Sequence, residues 1–268
     1  MFQGRVAVIT GGSSGIGLAV AEKLVRAGAM VALVARTKAT LDEVVARLGA
    51  GSAHAFPLDV CNLEALVALP GQVIDRFGRL DYVVNNAGVN HRGSIAKHTP
   101  LELAEIVTTN LTSAIVLTRA AFPRMEREGA VVQVASIAGM VPVPGEATYS
   151  ASKAGMRAFA RAVAEDLAER DIHSGCVCPG PVDTGFFGDI DTVPDVVFSQ
   201  PMSSADQIAD GVLECIRTRK AEIVIPRQSG RLATAAYLMP ALARRLQPSL
   251  EKRGKEKKAA YVARKKRP

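Results

Sequence analysis

RVAVITGGSSGIGLAVAEKLVRAG, residues 5–28, carries the reading on which the rest of the chain hangs. A short β-branched run, RVAVIT (5–10), turns directly into the glycine-rich TGGSSGIG (10–17). A helical segment follows, with Ile16, Val20, Leu24 and Ala27 on one face, Glu22 and Arg26 on the other, and Gly28 as its stop. Glycines permit a tight turn and close backbone approach, and the start of the next helix favours an anion. Strand, loop and helix in this order therefore form a candidate dinucleotide cradle of Gly11, Ser13, Ser14, Gly15, Ile16 and Gly17. The glycines are spaced 11, 15, 17 rather than in the commoner GxGxxG.

Working outward, similar runs recur at 30–35 (MVALVA), 54–60 (HAFPLDV), 81–86 (DYVVNN), 130–136 (AVVQVAS), 173–178 (HSGCVC) and 222–226 (EIVIP), with helix-length segments between them. Strands alternating with helices specify right-handed βαβ units. The predicted fold is α/β: a single-domain, Rossmann-type, doubly wound parallel sheet of about seven strands with helices on both faces. Ligands are then expected outside the C-terminal ends of the strands. A content of 48% hydrophobic and 4% aromatic residues suits a Val, Ala, Leu and Ile core of this kind.

The formal charge of +7 is not spread over the chain: residues 249–268 alone sum to +7, so residues 1–248 are neutral. That basic segment reads as a disordered tail, or as one drawn to anionic lipid or an acidic partner. Without a recognition motif or interleaved aromatics, nucleic acid is not expected as a partner. Cys61, Cys176, Cys178 and Cys215 lack paired CxxC spacing, so no metal site is expected and the thiols read as small core residues. His54, His91, His98 and His173 read as surface or satisfied polar residues. No signal peptide precedes the first strand, and a cytoplasmic protein is expected.

Two further stretches bear on chemistry. After the second strand, where an NAD site places an acid for the ribose 2′-hydroxyl, the chain has Ala35 and Arg36, with no acid before Asp42. A guanidinium there suits a 2′-phosphate, so NADP(H) is the expected cofactor, with Ser13 or Ser14 assisting. YSASK (149–153) sets Tyr149 and Lys153 four apart, on one face of a helix. From there the ammonium is expected to lower the phenol's pKa.

With TGGSSGIG, NNAG (85–88), Asn110, Ser136, YSASK and CPG (178–180) in order, the chain resembles a short-chain dehydrogenase/reductase over residues 4 to about 227, and specifically an NADP-preferring member. The resemblance implies an oxidoreductase of the carbonyl reductase or alcohol dehydrogenase type. Tyr149 would be the acid or base, Ser136 would bond the substrate oxygen, and Lys153 would hold the nicotinamide ribose. Asn110 would position a water in a proton relay. It also implies cofactor contacts at Asp59 and Val60 (adenine), at Asn86, Ala87 and Gly88, and at Pro179, Gly180, Val182 and Thr184 (carboxamide side). Homodimers or homotetramers are common in the family.

Residues 185–203 would be a substrate lid, and Phe186, Phe187, Val196, Val197, Phe198 and Met202 give it an apolar face. Either these residues pack the loop itself, or they favour a lipophilic ketone or secondary alcohol such as a steroid, retinoid, acyl or aromatic carbonyl compound. Residues 231–248 read as an amphipathic helical extension broken near Pro240, beyond a catalytic domain of residues 1–230. The extension could cap the cleft, pack on a second subunit, or make peripheral contact with a membrane. The alternative to an enzyme is an NADP-binding sensor or scaffold whose basic tail docks a partner.

Overall fold

The computed structural model describes residues 1–265. Its centre is one fully parallel sheet in the order β3-β2-β1-β4-β5-β6-β7. The strands are β1 (Val6–Thr10), β2 (Met30–Ala35), β3 (Ala53–Pro57), β4 (Tyr82–Asn85), β5 (Ala130–Val134), β6 (His173–Pro179) and β7 (Glu222–Ile225). All seven β-branched runs are strands. β1 pairs with β2 through Val6↔Met30 and with β4 through Ala7↔Tyr82, so the winding reverses between β1 and β4. A crevice opens beyond the strand ends at such a reversal.

Successive strand residues serve opposite faces. Ala7, Ile9, Val31 and Leu33 pack with α1 (Gly15–Arg26) and α9 (Ala205–Thr218). Val6, Val8, Ala32 and Val34 pack with α3 (Leu63–Phe77) and α5 (Ser113–Ala121). Burial on both sides is why the strands read as unbroken apolar runs. The remaining helices are α2 (Lys38–Leu48), α4 (Pro100–Val107), α6 (Ala147–Ala162), α7 (Ala164–Ala168), α8 (Asp195–Phe198), α10 (Arg227–Leu238) and α11 (Pro240–Lys265). The run from Pro100 to Arg124 is long and apolar enough to span a bilayer by composition. Its Ile106, Leu117 and Ala121 are instead buried in the fold.

The C-terminal segment departs from its reading. The break near Pro240 is there, at Met239, but residues 249–265 are not a disordered tail: they continue α11 and pack on α8. The physical reason is a contact face made of one small and several polar residues. Gly254 is buried against Asp195, and Tyr261 is wedged between Phe187 and Phe198. Residues 266–268, also assigned to that tail, lie outside the described residues.

Candidate active site

The glycine loop builds the first wall. A Cβ on Gly17 would collide with the Gly11 carbonyl, and Gly11 itself has φ +67°, so neither position accepts a side chain without strain. Asn86 lies beneath this turn, its Nδ2 donating to the Thr10 carbonyl at 2.9 Å, while the Thr10 hydroxyl accepts from the Asn86 and Ala87 N–H groups at 3.0 Å each. The loop and the NNAG turn are thus locked as one unit. Ser14 starts α1 with no side-chain hydrogen bond to the helix, so the first-turn N–H groups face outward uncapped by it. Thr184 approaches from β6, its methyl 3.6 Å from where a Gly15 Cβ would be.

The second wall is α6. Tyr149 and Lys153 are both buried, at 8% and 3% exposure. Their neighbours in YSASK hold the helix: the Ser152 hydroxyl donates to the Tyr149 carbonyl (2.7 Å), and the Ser150 hydroxyl accepts from Val143 N–H (3.2 Å). Ser136 ends the extended segment after β5, and its hydroxyl accepts from Ala138 N–H (3.1 Å), fixing the turn Ile137–Gly139. Gly139 lets that turn approach α6: a Cβ there would stand 2.6 Å from the Lys153 carbonyl group.

Electrostatically the pair differs from its sequence reading. Burial pushes the Tyr149 phenol well above its ordinary range, and the nearby Glu146 carboxylate adds to the rise. The Ser136 hydroxyl and the Arg92 guanidinium oppose it only in part. Lys153 does not contact the phenol: its Nζ donates to the Val134 carbonyl at 2.9 Å, at the end of β5, and lies 5.8 Å from the Tyr149 ring centre. Burial pushes Lys153 itself down to about 8.

Gly11, Ser14, Gly15, Ile16, Asn86, Ala87, Gly88, Ser136, Tyr149, Lys153, Pro179, Gly180, Val182 and Thr184 all line one cleft of about 1120 Å³ at the strand C-terminal ends. Ser13, in the loop, and Gly17, buried in the first turn of α1, are not among the cleft-lining residues. Arg36 is exposed just past β2, with no ion pair among the described residues. The nearest downstream acid, Asp42, is taken by Lys38 at 2.6 Å. Asp59 and Val60 follow β3, outside the cleft lining: Asp59 accepts from Cys61 N–H (2.9 Å), and Val60 is core. Asn110 lies behind the wall, in a π-helical turn (Thr108–Thr112) between α4 and α5. Its amide exchanges hydrogen bonds with the Val89 backbone (2.8 and 3.0 Å) and donates to Ser152 (3.0 Å). The side chain thus braces two walls, with both Nδ2 protons donated and one bond accepted at Oδ1.

The structure adds residues that no motif signalled. Arg92 and Glu146, each with 7% of its side chain exposed, pair at 2.9 Å beside Tyr149, and Arg92 also donates to the Phe187 carbonyl at 2.9 Å. Asn90 lines the cleft with both side-chain amide atoms buried and unpartnered among the described residues. The far end is apolar, formed by Leu232, Ala236, Leu242, Leu246 and Leu250 of α10 and α11. The extension therefore borders the cleft. The segment 185–203 does two jobs: Phe186, Phe187, Val196 and Val197 line the cleft, and Phe187, Val193 and Phe198 also form a small core against which Val197, Met202 and Tyr261 pack. Cys176, Cys178 and Cys215 are buried, and His173 meets the Lys220 carbonyl at 3.1 Å.

Comparison with known proteins agrees with this geometry. The short chain dehydrogenase family model matches residues 5–194. The chain is 33% identical to the ketoacyl reductase HetN of Nostoc sp., across 83% of this chain and 78% of that protein. It is 34% identical to the 3-oxoacyl-[acyl-carrier-protein] reductase FabG of Vibrio cholerae, across 68% of this chain and 75% of that one. Among solved structures, a short chain dehydrogenase from Burkholderia cenocepacia in complex with NADP superposes with a TM-score of 0.77 at 30% identity, covering 83% of this chain and 96% of that chain.

Proposed function

Because this chain belongs to the short-chain dehydrogenase family, a family of hydride-transferring oxidoreductases, we propose that it is an NADPH-dependent reductase of 3-oxoacyl thioesters or closely related lipophilic ketones. The observation that carries this reading is the meeting, in one cleft, of a buried proton-bearing phenol with a long apolar end. The residues fit the cofactor: the Gly11–Gly17 cradle would fill if either glycine gained a Cβ, and Arg36 offers a bidentate donor to a 2′-phosphate. When bound, NADPH supplies the hydride. The Lys153 ammonium would meet the nicotinamide ribose, and Val182 and Thr184 the carboxamide side.

A ketone that accepts hydride at carbon develops negative charge on oxygen, so donors must be aimed there. Ser136 and Tyr149 serve as those donors, and Tyr149 releases its proton to the oxygen. Its raised pKa keeps the phenol protonated until the alkoxide, a stronger base, forms. Lys153 then stabilises the phenolate at longer range. Asn90, whose buried Nδ2 has no partner among the described residues, offers a free donor in the same cleft for the second carbonyl of a 3-oxoacyl thioester. Leu232, Leu242 and Leu246 would receive the acyl chain. The names of the two reductase relatives support the acyl choice over a steroid or retinoid.

The test is titration with NADPH and NADH, followed by turnover on 3-oxoacyl thioesters, aromatic ketones and steroids. NADPH should bind about tenfold or more tightly than NADH, the advantage falling away in Arg36→Ala. The thioesters should turn over fastest. Preference for NADH, or steroid turnover ahead of thioester, would contradict the reading.

A further inference from the structure

Residues 184–203 leave the sheet and return to it, and their two ends are zipped together. Val182 bridges Ser203, Asp183 N–H donates to the Ser203 carbonyl at 2.9 Å, and Ser203 N–H donates to the Pro181 carbonyl at 2.9 Å. The body of the excursion is held from the other side, by α11. Lys258 Nζ donates to the Val193 carbonyl at 2.7 Å, Lys257 Nζ reaches the Ser199 carbonyl at 3.4 Å, and a Cβ on Gly254 would collide with the Asp195 carbonyl. The Tyr261 ring packs on Phe187 and Phe198, with centres 6.5 and 5.6 Å away. Its hydroxyl donates to Asp183 Oδ1 at 2.6 Å, and Lys265 and Arg264 pair with the same carboxylate at 3.0 and 3.5 Å. Residues 254, 257, 258, 261, 264 and 265 recur at helical spacing, so one face of α11 makes every one of these contacts.

We propose that α11 is a built-in strap across the substrate lid, and that Tyr261 is a positioning residue acting through Asp183 and Phe187. The inference rests on the reading of residues 185–203 as the lid of a reductase. Its route to the chemistry is short. Phe186 and Phe187 are consecutive in one tight turn (Gly185–Phe187): Phe187 is gripped by the strap, and Phe186 projects over Tyr149, with ring centres 6.0 Å apart. Asp183 lies between Val182 and Thr184, two residues of the candidate nicotinamide segment. Fixing Tyr261 therefore fixes the ceiling of the pocket and one edge of the cofactor site. The strap lies beyond residues 5–194, the part matched by the family model. The lysines and arginines on this face are engaged with lid carbonyls and carboxylates, which gives the basic segment a task inside the molecule.

The experiment is hydrogen–deuterium exchange of residues 185–203 in the wild type, Tyr261→Phe and Asp183→Asn, together with kinetics on a 3-oxoacyl thioester. Tyr261→Phe keeps the ring and removes only the hydroxyl. Lid exchange should quicken about tenfold while β1, β4 and β5 are unchanged, and KM for the thioester should rise about fivefold with kcat within about twofold. Asp183→Asn keeps an acceptor and loses the charge, so it should fall between the two. Unchanged lid exchange in Tyr261→Phe overturns the proposal, and so does faster exchange across the whole sheet, which would make the hydroxyl a support of the entire fold. Exchange needs no turnover. A protein inactive on every thioester but with a loosened lid in Tyr261→Phe would keep the strap and remove the reductase reading.

Discussion

At the N-terminal ends of β1 and β4 the Asp81 carboxylate is completely buried and surrounded by donors. Arg5 reaches it at 2.6 Å, Arg79 twice at 2.7 Å, and Val6 N–H at 2.9 Å. At the opposite end of the same sheet the Lys153 ammonium is equally buried, yet it has three protons to donate, one carbonyl at 2.9 Å and a weak thioether contact at 3.4 Å. Burial alone would raise the Asp81 pKa, but the two guanidiniums and the backbone N–H outweigh it and hold the carboxyl below its usual range. For Lys153 burial wins, and the pKa falls to about 8. One end of the sheet satisfies its charge and gains stability. The other keeps donor capacity in reserve, at a cost in stability, where a ligand can meet it.

Substitutions at the two ends should therefore have crossed effects. If Lys153 holds the nicotinamide ribose and stabilises the phenolate as proposed, Lys153→Met should cut turnover by at least about a hundredfold. The same change should raise the urea midpoint at pH 7, because an apolar side chain replaces a poorly paired buried charge. The sign follows from linkage. A lysine whose folded pKa is depressed contributes most above its unfolded value of 10.5, and that contribution is lost as pH falls through about 8. The stability gap between variant and wild type should thus narrow as pH rises from about 8 towards 10.5. A variant less stable than wild type at pH 7 would break the comparison.

Asp81→Asn should do the reverse, costing about 2 kcal/mol at pH 7 with turnover per folded molecule unchanged. The cost is below that of a fully buried pair because Arg5 and Arg79 still reach solvent, at 23% and 36% exposure. The Asp81 pKa is lowered on folding, so its contribution is present above the ordinary carboxylate range and disappears as pH falls through the folded value. Urea unfolding of the two proteins from neutral to acid pH checks this. A gap that persists after acidification would assign the loss to altered packing.

The parts of the molecule legible in sequence are those built from local patterns. The seven strands announce themselves as β-branched runs, and the glycine loop announces its own turn. Much of the cleft gathers because the glycine loop, NNAG, Ser136 and CPG each stand at or just past the C-terminal end of a strand, while YSASK comes in on α6. What sequence hid depends on contacts between distant residues. Arg92 meets Glu146 across 54 positions, and neither sits in a pattern that a helix or strand period would reveal. The rise in the Tyr149 pKa is hidden because spacing puts Lys153 on the right face of α6 without saying how deeply the phenol is buried, or that the ammonium turns to the Val134 carbonyl. The C-terminal segment was misread for a related reason. Its packing face is a glycine, three lysines, an arginine and a tyrosine, so it carries no apolar stripe, and its charges look solvent-bound until the carbonyls and the Asp183 carboxylate that receive them are seen.

Whether the buried Tyr149 hydroxyl delivers the proton is tested most directly by the turnover and NADPH affinity of Tyr149→Phe. The account predicts a fall in kcat of about a thousandfold, with NADPH bound as tightly as by the wild type. Turnover within tenfold of wild type would contradict it.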